Sequence, residues 1–171
     1  MSWSKLLAGA ALISVAAGLS GCFQPLYGEA AHPGLVADLR AIEVVPIDKR
    51  VGHYLTQNLI ADLNGTGQIA ASPKYRLTVK ISVSSQTPTV NSEINAASSA
   101  TISGEAAFTL VKVEGGAEVL KGTANAAAAY DRSLQRYADM RAARDAEIRL
   151  ARALSSEIST RLAAALAEKT S

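Results

Sequence analysis

The chain is poor in the residues that build covalent cross-links, metal sites and nucleophilic centres. Its 171 residues include one cysteine, Cys22, and two histidines, His32 and His53. A single cysteine excludes an internal disulfide and a metal site made of several cysteines. Neither histidine has serine, aspartate or glutamate at the spacing of a nucleophile or metal motif. We therefore predict no catalytic residue, no metal, no cofactor and no enzymatic activity, with His53 an exposed helix residue.

Excess charge and bulky side chains are also scarce. Lysine and arginine number 17 against 15 acidic residues, which gives a formal net charge of +2 and excludes nucleic acid as a partner. Aromatic residues make up only 5% of the chain, whereas alanine is abundant. Small side chains bury little apolar area each, so we expect modest intrinsic stability or reliance on a partner surface.

The first 22 residues have the three parts of an export signal. A basic start at Lys5 precedes an apolar stretch from Leu6 to about Ala17, followed by Leu19-Ser20-Gly21-Cys22. The stretch is shorter than the roughly 20 apolar residues of a bilayer span. The tetrapeptide resembles the bacterial lipobox, which implies removal of residues 1–21 and attachment of acyl chains to Cys22. The alternative is a buried thiol behind an uncleaved anchor.

Residues 22–36 lack a period and are rich in proline and glycine, which predicts a lipidated tether before a single domain at 37–171. Within the domain, residues 39–47 have the pattern of a strand. Asp48 is a candidate N-cap for an amphipathic helix that ends at Asn64-Gly65. The apolar stripe of this helix consists of Val51, Leu55, Leu59 and Leu63.

Three further segments alternate in the manner of strands, at 75–84, 100–113 and 118–130. Glu114-Gly115-Gly116 predicts a hairpin turn between the last two. Alanine has poor strand propensity, which leaves a helix open as the alternative at 118–130, although Gly122, Thr123 and Asn125 favour the strand. From about 137 to 168 the period is helical, with a stripe formed by Ile148, Ala151, Leu154, Ile158, Leu162, Ala165 and Leu166.

The order of elements is therefore β-α-β-β-β-α. Elements with one apolar face pack in layers. We predict an α+β two-layer sandwich, in which a four-stranded, mostly antiparallel sheet carries two helices on one face.

The lipobox runs directly into Phe23-Gln24-Pro25-Leu26-Tyr27-Gly28. Together with the element order, this run resembles the lipopolysaccharide-assembly lipoprotein LptE in its alphaproteobacterial form, over the whole mature chain. The resemblance implies a lipid-anchored protein of the outer membrane, on the periplasmic side. Its implied partners are the LptD β-barrel, which LptE plugs and helps to assemble, and lipopolysaccharide. A stand-alone periplasm-facing binding lipoprotein is the alternative.

Four arginines cluster where the last strand meets the long helix: Arg132, Arg136, Arg141 and Arg144. Guanidinium groups match phosphate oxygens in bidentate geometry, and lipopolysaccharide presents phosphates. A barrel lumen is also polar. We predict that this cluster contacts a ligand or the barrel. The alternative is a solvated helix entrance in which the arginines pair with Asp131, Asp139 and Asp145.

Overall fold

A four-stranded sheet and three helices form most of the part of the chain that the computed structural model describes, residues 34–65, 70–86, 90–91, 96–97 and 99–170. The predicted signal peptide, Cys22 and the predicted tether as far as residue 33 lie outside these ranges. The elements are α1 (Leu35–Arg40), β1 (Ile42–Val44), α2 (Lys49–Asn64), β2 (Tyr75–Gln86), β3 (Val90–Asn91), β4 (Ala96–Ala97), β5 (Ser99–Lys112), β6 (Glu118–Asp131) and α3 (Arg136–Thr170).

The main sheet has the strand order β1-β2-β5-β6. Strand β1 is parallel to β2, whereas β2, β5 and β6 are joined antiparallel. Strands β3 and β4 form a separate ladder of two residue pairs. Helices α2 and α3 pack together on one side of the main sheet, and α1 packs against both helices. The predicted α+β architecture with helices on one face is therefore confirmed, with one helix more than predicted.

The start of the domain differs from the prediction. Residues 35–40, which were assigned to the tether and to the start of the first strand, form helix α1, and the strand is confined to Ile42–Val44. Leu35 is fully buried, so the folded domain includes the end of the predicted tether. A helix of six residues is too short to produce a recognisable period, which is why the sequence did not reveal it.

The three long strands have the predicted alternation. Strand β6 is confirmed as a strand, and the helical alternative for its alanines is wrong, because it pairs with β5 from Asp131 to Glu118, apart from Val119 at a register shift. Ala124 and Ala128 are buried on the helix side. In β2 the inward position Val83 is 41% exposed, and it lines a shallow depression beside the first turn of α2.

Helix α2 follows the predicted stripe, and all four of its predicted apolar members are buried. Asp48 occupies the N-cap position, although its side chain accepts no capping hydrogen bond. The helix ends at Gly65, which adopts the left-handed conformation (φ 69°) and donates its N–H to the Ala61 carbonyl at 2.8 Å. Gly115 and Gly116 likewise have positive φ in the predicted hairpin turn.

Helix α3 is slightly longer than predicted and packs on both α2 and the sheet. Its buried positions therefore span a wider arc than a single stripe. Leu150 is fully buried, whereas the predicted positions Ile148 and Ala165 are half-buried. The helix approaches β5 at Gly104, where an added Cβ would lie 3.1 Å from a Leu150 methyl group and 3.3 Å from Leu154 Cδ1.

Candidate functional site

The four predicted arginines lie at one end of the sheet, where β6 leads into α3. Arg132 is in the connection, Arg136 is the first residue of α3, and Arg141 and Arg144 follow within its first three turns. All four side chains are exposed. The cluster therefore lies at the N-terminal end of a long helix.

Two of these arginine side chains have partners, but only Arg132 pairs with one of the predicted aspartates. Arg132 Nε lies 3.6 Å from Asp139 Oδ1. Arg144 Nε donates to the Tyr54 hydroxyl of α2 at 2.9 Å, so helix packing holds this guanidinium in place. Asp145 pairs instead with Arg149 at 2.8 Å.

Arg136 and Arg141 are different, because neither side chain forms a hydrogen bond or an ion pair with any residue of the described ranges. Arg136, in the first turn, also lies at the positive end of the helix dipole, where a cation is unfavourable by about 0.3–1 kcal/mol. Both guanidinium groups are therefore available to an external anion, at no benefit to the helix itself.

Large apolar side chains accompany the free arginines. Leu134 is 87% exposed, Tyr137 74% and Met140 62%, and they are three of the five large hydrophobic side chains found exposed in the described part of the chain. Sequence reasoning missed them. The sequence does show that Tyr137 and Met140 lie three residues apart and are flanked by arginines. The same separation is common on the buried face of a helix, so it does not predict exposure.

Five side chains share one face of the first turns of α3, which we call the arginine face: Arg136, Tyr137, Met140, Arg141 and Arg144. At about 100° per residue they fall within an arc of roughly 140°. Asp139 and Asp145 lie outside this arc. The arginine face therefore presents three cations around two exposed apolar side chains, with no carboxylate among them.

The face of the main sheet opposite the helices is also exposed. A shallow depression of about 580 Å³ lies there, lined by serine, glycine and alanine residues together with Glu105 and Asn125. Its lining carries a single titratable side chain. It is therefore a weaker candidate for a charged ligand than the arginine face.

Other groups with chemical potential are dispersed. His53 is exposed on α2 as predicted, with its ring centroid 6.3 Å from that of Tyr54. Among the residues that the structure describes, no group of three or more histidine, cysteine, aspartate or glutamate side chains is placed to hold a metal ion. None of the described helices combines the length and apolar character that crossing a membrane requires.

Solved structures of other proteins share this fold. A candidate lipoprotein from Caulobacter crescentus CB15 matches with a TM-score of 0.68 and 25% sequence identity, covering 81% of this chain and 98% of that one. A minor lipoprotein from Acinetobacter baumannii matches with a TM-score of 0.56 and 14% identity, covering 73% and 92%. The rare lipoprotein B from Shewanella oneidensis gives a TM-score of 0.49 and 11% identity, covering 75% and 94%.

No protein-family model matches the sequence, and no curated protein matches it. The structural comparisons therefore establish the shared architecture: the chain has the fold of the Caulobacter and Acinetobacter proteins across most of the length of each.

Proposed function

We propose that this protein is a lipid-anchored outer-membrane lipoprotein that supports the LptD β-barrel in lipopolysaccharide transport and uses the arginine face to contact lipopolysaccharide or the barrel. The lipobox ending at Cys22 and the run from Phe23 to Gly28 support the anchor and the LptE resemblance. The fold shared with the Caulobacter candidate lipoprotein supports the same protein class. The contact is inferred from the arginine face, where arginine side chains without a partner in the described chain surround the exposed side chains of Tyr137 and Met140.

The chemistry of the arginine face suits an acylated anion. Arg136 and Arg141 can each offer a planar pair of N–H donors to phosphate oxygens, because no group of the described chain occupies them. Tyr137 and Met140 lie between the arginines and can cover sugar or acyl carbons while the guanidinium groups remain hydrated. The same combination suits the polar lumen of a barrel, where carboxylates would replace the phosphates.

Charge reversal tests the contact. We expect Arg136→Glu with Arg141→Glu to lose binding to purified lipopolysaccharide or to reduce recovery of the barrel from outer-membrane extracts. Exposed charges contribute only about 0–1 kcal/mol to folding, so the melting temperature should change little. The matched control is Arg152→Glu with Lys121→Glu, which changes the net charge equally at exposed positions away from the arginine face.

The control should bind both partners like the parent. If the double variant of the arginine face also binds both partners like the parent, the cluster is only a solvated helix entrance. If both double variants lose binding equally, the effect belongs to net charge and the arginine face has no specific role.

A further inference from the structure

The two edges of the main sheet are protected very differently. On β6, outward-facing backbone groups are satisfied by three side chains of α3. Arg161 Nη1 donates to the Thr123 carbonyl (2.8 Å), Arg149 Nη2 donates to the Ala129 carbonyl (2.9 Å), and Glu157 Oε2 accepts from the Asn125 N–H (3.3 Å). These bonds occupy positions to which another strand would have to pair, so this edge is blocked.

The opposite edge is covered only at its beginning. Strand β1 pairs with residues 75–77 of β2, and the last bond of this ladder runs from the Val45 N–H to the Leu77 carbonyl at 3.0 Å. The next bond of a parallel ladder would run from the Val79 N–H to the Val45 carbonyl, and it is not formed, so pairing ends just before Pro46. The outward-facing backbone groups of Val79, Ile81, Val83 and Ser85 form no hydrogen bond with any residue of the described ranges.

This free edge, Val79–Gln86, is about 27 Å long at 3.4 Å per residue. Its last five residues are exposed, and Lys80 is its only charged side chain. Alternating N–H and C=O groups along a strand edge are complementary to one kind of ligand, an extended polypeptide backbone.

Strand β1 shows which side chains suit such a strand. Ile42 and Val44 are buried towards the helices, at 5% and 6% exposure. Glu43 faces the open side of the sheet, where its Oε2 accepts from Arg76 Nε at 2.9 Å. Lys80 follows Arg76 by four residues and thus faces the same side, but it has no acidic partner in the described chain.

The helix side of the free edge has space for an apolar side chain. A depression of about 250 Å³ lies between the edge and the helices, lined by Ile81, Val83, Val51, Lys49, Arg50 and Glu147. The charge of Arg50 is matched by Glu147, since Arg50 Nε donates to Glu147 Oε2 at 2.6 Å. Lys49 and Lys80 have no ion-pair partner among the described residues. The nearby carboxylates are Asp48, next to Lys49, and Glu105, opposite Ser82 on β5, whereas the edge strand itself carries only the positive charge of Lys80.

We infer that the free edge of β2 binds an extended segment of another protein as an additional strand, with alternating apolar and acidic residues. The apolar side chains enter the depression beside Ile81 and Val83, and an acidic side chain pairs with Lys80 as Glu43 pairs with Arg76. A second copy of this chain fits less well, because Val79–Gln86 contains a lysine and no acidic residue. This interaction is separate from the arginine face.

The test uses the lipidated mature protein in detergent with two fluorescent octapeptides, one alternating valine with glutamate and one alternating valine with lysine. Fluorescence anisotropy should show tighter binding of the glutamate peptide. Val83→Pro removes one outward-facing N–H at an edge position where proline is tolerated, and should weaken this binding about fivefold. Lys80→Glu should reverse the preference between the peptides, whereas Lys121→Glu, an equal charge change on β6, should leave it unchanged.

The inference is overturned if neither peptide binds at millimolar concentration, or if Lys80→Glu binds both peptides as the parent does. It is also overturned if the parent forms dimers that Val83→Pro dissociates, because the edge would then serve a second copy. Circular dichroism checks the fold of Val83→Pro. If that variant does not fold, the reversal of preference in Lys80→Glu decides the matter.

Discussion

Replacement of Gly122 by alanine should destabilise the protein through Phe108. These two residues are directly paired across β5 and β6, and the ring of Phe108, 1% exposed, covers the glycine. An added Cβ would lie 2.8 Å from Phe108 Cζ and 3.2 Å from Cε1. Because ordinary carbon contacts begin near 3.5 Å, the ring has to move by about 0.7 Å within a close-packed core.

The expected size follows from two opposing effects. Overpacking of a core costs about 1–3 kcal/mol, whereas removing a glycine from a strand gains about 0.5–1 kcal/mol by restricting the unfolded chain. We therefore expect Gly122→Ala to lower the free energy of unfolding by about 1–2 kcal/mol. For a domain of this size the melting temperature should fall by roughly 3–6 °C.

A double-mutant cycle with Phe108→Leu isolates this contact, because leucine lacks the Cζ atom that causes the clash. Phe108→Leu destabilises the core on its own, but in that background Gly122→Ala should be neutral or stabilising by about 0.5 kcal/mol. Urea and thermal unfolding of all four proteins, followed by circular dichroism, measure the coupling. An equal loss in both backgrounds, or no loss in the parent, would refute the reasoning.

Three further changes test other parts of the account. Cys22→Ser should leave an unacylated, full-length precursor that no longer fractionates with the outer membrane, as mass spectrometry of membrane fractions can show; normal processing would contradict the lipoprotein assignment. Burial, followed by the charge of Asp38, raises the pKa of Tyr75 above its ordinary 10.0. Folding therefore favours the protonated phenol, so stability should decline as pH rises through and above about 10. A series of melting temperatures against pH should show a smaller decline for Tyr75→Phe. Ser155 is fully buried and donates a hydrogen bond to Asp62 Oδ2 at 2.6 Å. Ser155→Ala should lower the free energy of unfolding in urea by only about 1 kcal/mol, because the exposed Asp62 carboxylate can bind water instead.

Much of the fold could be predicted because its elements are long and strongly patterned. Strand β2 and helix α2 carry apolar residues at the periods of a strand and a helix, and both were predicted within two residues of their ends. In β6 the correct indication came from Gly122, Thr123 and Asn125, which favour a strand over a helix despite the low strand propensity of the alanines. Helix α1 was missed because six residues carry no measurable period, and its burial depends partly on α3, which is distant in sequence.

The candidate site could be predicted only in part. The clustering of four arginines was visible in the sequence, but not which of them have partners. Arg144 binds Tyr54 of another helix, a contact that depends on how α2 and α3 pack together. Exposure of Tyr137 and Met140 also depends on tertiary packing. The free edge of β2 could not be predicted, because it arises from the early departure of β1 and from side chains of α3 that block the other edge.

The central claim, that this protein is a lipoprotein that supports an outer-membrane barrel, is tested most directly by isolating the tagged mature protein from outer membranes in mild detergent and identifying its partner by mass. We expect to recover an LptD barrel in equal stoichiometry. If the arginine face contacts the barrel, its recovery should fall when Arg136 and Arg141 are both replaced by glutamate. Recovery of the folded, acylated protein without any barrel would contradict the account and favour a stand-alone binding lipoprotein.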